Sequence, residues 1–314
     1  MRICSLLPSA TEILYAIGLG DSVLGVTHEC DFPAEAATKP ALIRPRVDPQ
    51  ATPAEIDRKV SEIIARGESI YSVDAELLSS LAPDLILTQD LCHVCAASPD
   101  DLATALTRFP RQPQVLSLTP RSLAEVWDDI RRVGDATGRR GEAEALASAI
   151  EERVAAVDAV AARAGSRPRV LCLEWLDPYF VGGHWIPEMV YKAGGVDVLG
   201  RLRQPSYKVS AREILDSRPD VIVIMPCGYN TTRIAKEFRI DQLPCGADTL
   251  PAVKERRVFA VDANSYFSRP GPRLADGVEL LAHLIHPELF PKGVPGASRT
   301  LLQVSAEESS TCRE

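Results

Sequence analysis

Histidine and cysteine are the residue types whose placement in this chain first suggests chemistry. Thr27-His28-Glu29-Cys30 and Leu91-Cys92-His93-Val94-Cys95 each follow a short apolar run, and Cys227 follows a third. Thiolate and imidazole ligate zinc, and four thiolates can hold zinc or an iron–sulfur cluster. Cys30, Cys92, His93, Cys95 and Cys227 form that candidate metal set. Cys92-x-x-Cys95 alone is a weak signal, compatible with a redox pair, half a metal site or no chemistry at all, and the bland reading is thiols packed against an apolar ligand. A thiol beside His28 or His93 could be activated as a nucleophile, but no nucleophile-elbow or phosphate-loop pattern supports it. Cys4 and Cys172 lie inside apolar runs and read as small hydrophobes. Cys245 and Cys312 carry no assignment.

Aromatic residues make a second grouping. They are only 5% of the chain, yet Trp175, Tyr179, Phe180, Trp185, Tyr229, Tyr266 and Phe267 gather near the ends of apolar runs in its second half. Such a group in loops suggests a stacking surface for a large, flat, partly apolar ligand. His184 stands beside Trp185. Arg269 and Arg273 add guanidiniums near a helix start, suited to carboxylate, amide or phosphate groups, or to ion pairs with the protein's own acidic surface.

These residues need elements to position them. Residues 3–7, 23–26, 85–87 and 115–118 read as strands of a first half, and 169–173, 221–225 and 258–261 as strands of a second. Ser9, at the first strand's exit, is a candidate ligand contact and forms with Glu12 an S-x-x-E capping box. Thr52 and Glu55 form another, and a Pro-rich loop is expected over 40–49. Helices between the strands imply parallel βαβ units in each half, with ligands beyond the carboxyl ends of the strands. Helical spacing then runs from 119 to 163, interrupted at Gly134 and Gly138. The expected organisation is an α/β lobe over 1–138, a linking helix over 139–164, a second α/β lobe over 165–290 and a disordered tail over 291–314. The ligand cleft is expected between two Rossmann-like lobes.

A chain of 314 residues suits two domains. Its net charge of −8 argues against a nucleic-acid partner. No segment approaches 18 consecutive apolar residues, so membrane insertion is not expected. The N-terminus enters a strand-like run without a signal-peptide pattern, so a cytoplasmic location is expected, with the eight cysteines as core thiols or metal and redox groups rather than structural disulfides.

At its motifs the chain resembles the cobalamin-binding, periplasmic-type solute-binding family associated with ABC importers of vitamin B12 and iron chelates. The resemblance covers about residues 2–289. It rests on Ser5-Leu6-Leu7-Pro8-Ser9-Ala10-Thr11-Glu12-Ile13-Leu14, the paired Pro83-Asp84-Leu85-Ile86 and Pro219-Asp220-Val221-Ile222, and Gly134-Asp135-Ala136-Thr137-Gly138-Arg139. It implies two Rossmann-like lobes on a backbone helix (class III of the periplasmic-binding-protein architecture) and a binding protein rather than an enzyme. It further implies a corrinoid such as cobalamin as ligand, with Glu76 and Glu213 matching the glutamates that dock permease arginines. The Cys/His set and the start of the chain resemble a cytosolic branch, for which permease contact is not implied. Trp175, Trp185, Tyr229, Tyr266 and Phe267 would then pack against the corrin, and His28, His93 or His184 could approach cobalt. The alternatives are a zinc- or iron–sulfur-carrying enzyme and a siderophore-type iron-chelate binder.

Overall fold

The computed structural model describes residues 1–48, 51–89, 99–107, 109–291 and 302–303. The chain divides into two units. The first holds Met1–Pro120, Ala124–Ala149 and Pro270–Pro272, and the second Arg121–Leu123, Ile150–Arg269 and Arg273–Glu314.

The first unit runs β1 (Ile3–Ser5), α1 (Pro8–Ala16), β2 (Val23–Thr27), β3 (Ala41–Pro45), α2 (Pro53–Ala65) and β4 (Tyr71–Val73). It continues with α3 (Ala75–Ser80), β5 (Leu85–Thr88), α4 (Pro99–Leu106) and β6 (Gln114–Ser117), then α5 (Leu123–Thr137) and the start of α6 (Arg140–Ala161). The sheet order is β4-β3-β2-β1-β5-β6. All neighbours are parallel except β3 and β4. Leu85, Ile86 and Leu87 are fully buried, as befits a central strand covered on both faces.

Two expectations fail here for local reasons. The Ser9–Glu12 capping box does not form. Leu7 is the N-cap and Pro8 takes the first turn, where its missing N–H costs nothing, so Ser9 and Glu12 lie buried inside α1. The expected Pro-rich loop contains β3, because Pro40 precedes the strand and Pro45 ends it near the sheet edge, where no ladder donor is lost. The Thr52–Glu55 box does form: Thr52 N–H donates to Glu55 at 3.0 Å and Glu55 N–H to Thr52 Oγ1 at 3.4 Å.

Gly134 lies inside α5 rather than interrupting it. A Cβ there would stand 2.3 Å from the Ala143 Cβ, so the missing side chain lets α5 and α6 touch. The turn itself falls at Gly138, with φ of +71°. α6 is one continuous helix of 22 residues, and the division between the units falls within it. Ala143, Ala147, Ile150, Val154, Val157 and Ala161 are buried at alternating spacings of four and three, one apolar face along its length.

The second unit holds β7 (Arg169–Leu176), β8 (Tyr179–Val181), α7 (Ile186–Lys192), β9 (Val196–Asp197), β10 (Tyr207–Lys208), α8 (Ala211–Ser217) and β11 (Val221–Ile224). It closes with α9 (Thr231–Glu237), α10 (Pro251–Lys254), β12 (Val258–Ala260), α11 (Ala263–Tyr266), α12 (Leu274–Ile285) and β13 (Leu302–Gln303). The order is β10-β8-β7-β11-β12-β13, with β9 beside β7. β7, β11 and β12 are parallel, but β8, β10 and β13 run antiparallel to their neighbours. The Asp177-Pro178 turn sends the chain back as a hairpin that a purely parallel βαβ reading omits. Most of the expected tail lies outside the described residues; its Leu302–Gln303 segment pairs with β12.

One device recurs in both units. Arg2 N–H donates to Asp84 Oδ2 at 2.8 Å, and the Arg2 guanidinium donates to the carbonyls of Leu81 and Ala82 just beyond α3. Arg169 N–H likewise donates to Asp220 Oδ2 at 2.8 Å, and its guanidinium to the Ser217 carbonyl that ends α8. Each Arg–Asp clasp fixes the entry of a central strand and satisfies helix-end acceptors.

Candidate functional site

In the first unit the β2 exit is polar and closely packed. Cys30 is buried, its Sγ 3.1 Å from Thr11 Oγ1 and 3.4 Å from both the backbone N and Oγ1 of Thr27. Thr11 in turn donates to Ser5 Oγ at 2.9 Å. Ser9 is buried on α1, with Gly271 set so closely that a Cβ there would lie 3.4 Å from the Ser9 Cβ. His28 Nδ1 stands 3.0 Å from the Ile43 carbonyl and Nε2 3.8 Å from Glu29.

Of the candidate metal set only Cys30 and Cys227 are described, one in each unit. Cys92, His93 and Cys95 lie outside the described residues. Cys227, beyond β11, is exposed, while Cys30 is held among hydroxyls. Among the described residues no three His, Cys, Asp or Glu side chains could hold a metal ion. Cys4 and Cys172 are core thiols, and burial pushes Cys4 up to about 12. Cys245 is disulfide-bonded, which the expectation of thiols without structural disulfides did not include.

In the second unit the aromatic residues separate into two kinds. Trp185 and Phe267 are interior. The Trp185 indole N–H donates to the Phe267 carbonyl at 2.8 Å, and Phe267 packs close to Gly277 of α12. Sequence position put them in loops, but these loops fold onto α7 and α12. Tyr229 is also buried, within the core built on β7, β11 and β12. Trp175, Tyr179, Phe180 and Tyr266 are half-buried, with Trp175 and Tyr179 packed against that core.

Trp175 and Tyr229 form an edge-to-face pair with centroids 5.7 Å apart at 89°. Arg233 of α9 covers the Tyr229 ring at 3.8 Å and donates to Glu237 at 2.8 Å. Burial, followed by the Glu237 carboxylate, raises the Tyr229 phenol above its usual range, so the ring stays neutral. Burial, then Asp262 and Asp276, raises Tyr266. The β11 and β12 exits are tied together where Gly228 N–H donates to Asn264 Oδ1 at 3.0 Å, with Gly228 at φ +82°. Arg233 was missed by sequence reasoning, although Arg233-x-x-x-Glu237 is a helix ion pair that could have been noticed.

His184 precedes α7 with φ of +51°, and burial, with a smaller contribution from Arg121, lowers its pKa. Ser206 Oγ donates to Glu174 at the end of β7. Arg269 is buried and Arg273 half-buried. Glu76 is exposed in the first turn of α3, whose N-cap is Asp74. Glu213 is exposed too, but it closes a capping box with Ser210, whose N–H holds the carboxyl below its usual range. No described helix is long and apolar enough to cross a membrane.

Comparison with known proteins places this architecture. The chain is 28% identical to an uncharacterized ABC transporter substrate-binding lipoprotein of Bacillus subtilis, over 92% of this chain and 81% of that one. It is 24% identical to a vitamin B12-binding protein of Vibrio cholerae, over 88% and 86%. Among solved structures, the periplasmic vitamin B12-binding protein of Vibrio cholerae superposes with a TM-score of 0.66 at 23% identity, covering 93% of this chain and 98% of that one. A periplasmic heme-binding protein of Pseudomonas aeruginosa gives 0.71 at 19% identity, covering 98% and 99%. These likenesses show the fold: two α/β units carried on one continuous helix. With the periplasmic binding protein model matching residues 3–265, the chain belongs to that family and is a solute-binding protein, not an enzyme.

Proposed function

We propose that the solute is cobalamin or a related corrinoid, received on the half-buried aromatic surface at the carboxyl-end loops of the second unit. The observation that carries this reading is the Trp175–Tyr229–Arg233 stack. Arg233 and the core fix Tyr229, Tyr229 fixes Trp175 edge-on, and Trp175 is only half-buried. Its indole N–H already donates to the Asp177 carbonyl at 3.1 Å, which further limits its rotation. A preset, rigid aromatic face loses little entropy on meeting a broad, flat ligand. Phe180, opposite Trp175 in the β7–β8 ladder, extends the face, and Arg269 and Arg273 add guanidiniums near α12, suited to the amide rim of a corrin. The B12-binding relative, matched over most of both chains, supports the same ligand class.

An iron porphyrin or a ferric siderophore could meet the same rings, so the test is competitive. Calorimetric titration of the full chain with aquocobalamin should give a saturable one-to-one heat that neither haemin nor ferric siderophore displaces at equal concentration. No heat, together with no retention of cobalamin in dialysis, would sink the reading. Displacement by haemin would transfer it to porphyrins.

A further inference from the structure

Three neighbouring strands of the second unit place one row of side chains on a single face. Phe180 of β8 stands opposite Trp175 of β7 on one side and opposite Lys208 of β10 on the other. Residues directly opposite in antiparallel pairs project to the same side of a sheet. The packing agrees with the register. Tyr179, Val181, Tyr207 and Val209 flank Phe180 and Lys208 along their strands, and all four pack into the core on β7, β11 and β12. Phe180 and Lys208 alternate with them and so project away from that core.

A bulge brings Trp175 into the row. Leu173 pairs with Val181 and Trp175 with Phe180, which leaves Glu174 as the extra residue. Such an insertion re-aims the side chain that follows it, here to the side of Phe180 rather than of Leu173. Ser206, two residues before Lys208, bonds the Glu174 carboxylate. The Lys208 ammonium, by contrast, has no hydrogen-bond or ion-pair partner among the described residues, and the residue is exposed.

The row therefore runs from indole to phenyl ring to ammonium across two strand spacings, about 10 Å. Such a face suits a flat apolar body that carries one negative charge at its rim. Lysine supplies a compact point charge on a flexible stem, which can follow a phosphate oxygen without the fixed fork of an arginine.

We infer that Lys208 recognises an anionic group at the rim of the solute, namely the phosphodiester of a corrinoid that carries its nucleotide loop. This rests on the corrinoid reading above and narrows it to corrinoids with the loop intact.

The test is calorimetric titration of the full chain and of Lys208→Gln with dicyanocobalamin and dicyanocobinamide. The two share corrin and axial ligands, and only the first carries the phosphodiester. Lys208→Gln should weaken dicyanocobalamin about fivefold at low salt and leave dicyanocobinamide unchanged. Lys208→Arg keeps the charge and should bind both as the wild type does. Added salt should weaken dicyanocobalamin more in the wild type than in Lys208→Gln, because exposed charges are screened. Equal losses for both corrinoids in Lys208→Gln would mean that Lys208 only holds its strand, and would overturn the inference. No loss for either would also overturn it and leave corrinoid binding standing. A wild-type chain that binds neither corrinoid would overturn both.

Discussion

The two units share a frame and differ at their strand ends. In each, an arginine opens the central strand, an aspartate three or four residues after a helix clasps its N–H, and the guanidinium satisfies carbonyls at that helix's end. At the exits the likeness ends. The first unit closes its β2 exit with hydroxyls and a thiol in mutual contact, whereas the second leaves half-buried rings on a braced aromatic pair. The clasp serves the sheet, while the exits are where the units diverge toward function.

The largest effects should come from glycines that permit close packing in each unit. Gly134→Val and Gly277→Val would force a Cβ to 2.3 Å from the Ala143 Cβ and to 2.2 Å from the Tyr266 carbonyl. Each should cost about 2–4 kcal/mol in chemical denaturation. A loss near zero at either would remove that contact from the account.

Next come two buried carboxyls, one per unit. Asp129 accepts from Arg132 through one oxygen, and Asp197 accepts from the Leu199 and Gly200 amides through one oxygen. In both the second oxygen is buried without a partner. Burial raises each from 3.8 to about 6. The native state then holds the proton more tightly than the unfolded chain, so stability falls as pH rises from about 4 to about 6 and is level above. Asp129→Asn and Asp197→Asn should each flatten that fall by about 1–3 kcal/mol. Denaturation midpoints at the two pH values check it, and an unchanged slope contradicts the burial argument.

The smallest effects should be equal in the two units. Arg2→Ala and Arg169→Ala each remove guanidinium bonds to carbonyls at a helix end, for about 0.5–1.5 kcal/mol apiece. A large inequality would break the equivalence of the clasps.

Much of the frame was legible in the sequence because it rests on local pattern. Pro83-Asp84 and Pro219-Asp220 announce strands whose apolar runs are buried throughout, and α6 follows its three–four spacing to within about two residues at each end. What failed depends on neighbours distant in sequence. β3 between two prolines is a strand only because β2 and β4 pair with it. Ser9 and Glu12 suited a helix start, yet Pro8 had already begun the helix. Trp185 and Phe267 looked like ring surface for a ligand until the indole N–H found the Phe267 carbonyl. Residue type announced a ligand-ready surface but could not say which rings stay open, since that is set by the packing of α7 and α12.

The most direct measurement compares equilibrium dialysis of aquocobalamin with the wild-type chain and with Trp175→Ala, checked for folding by circular dichroism. If the braced aromatic face of the second unit receives a corrinoid, the wild type retains it, and loss of the indole weakens affinity about tenfold or more. Equal affinity in the two proteins would contradict the claim.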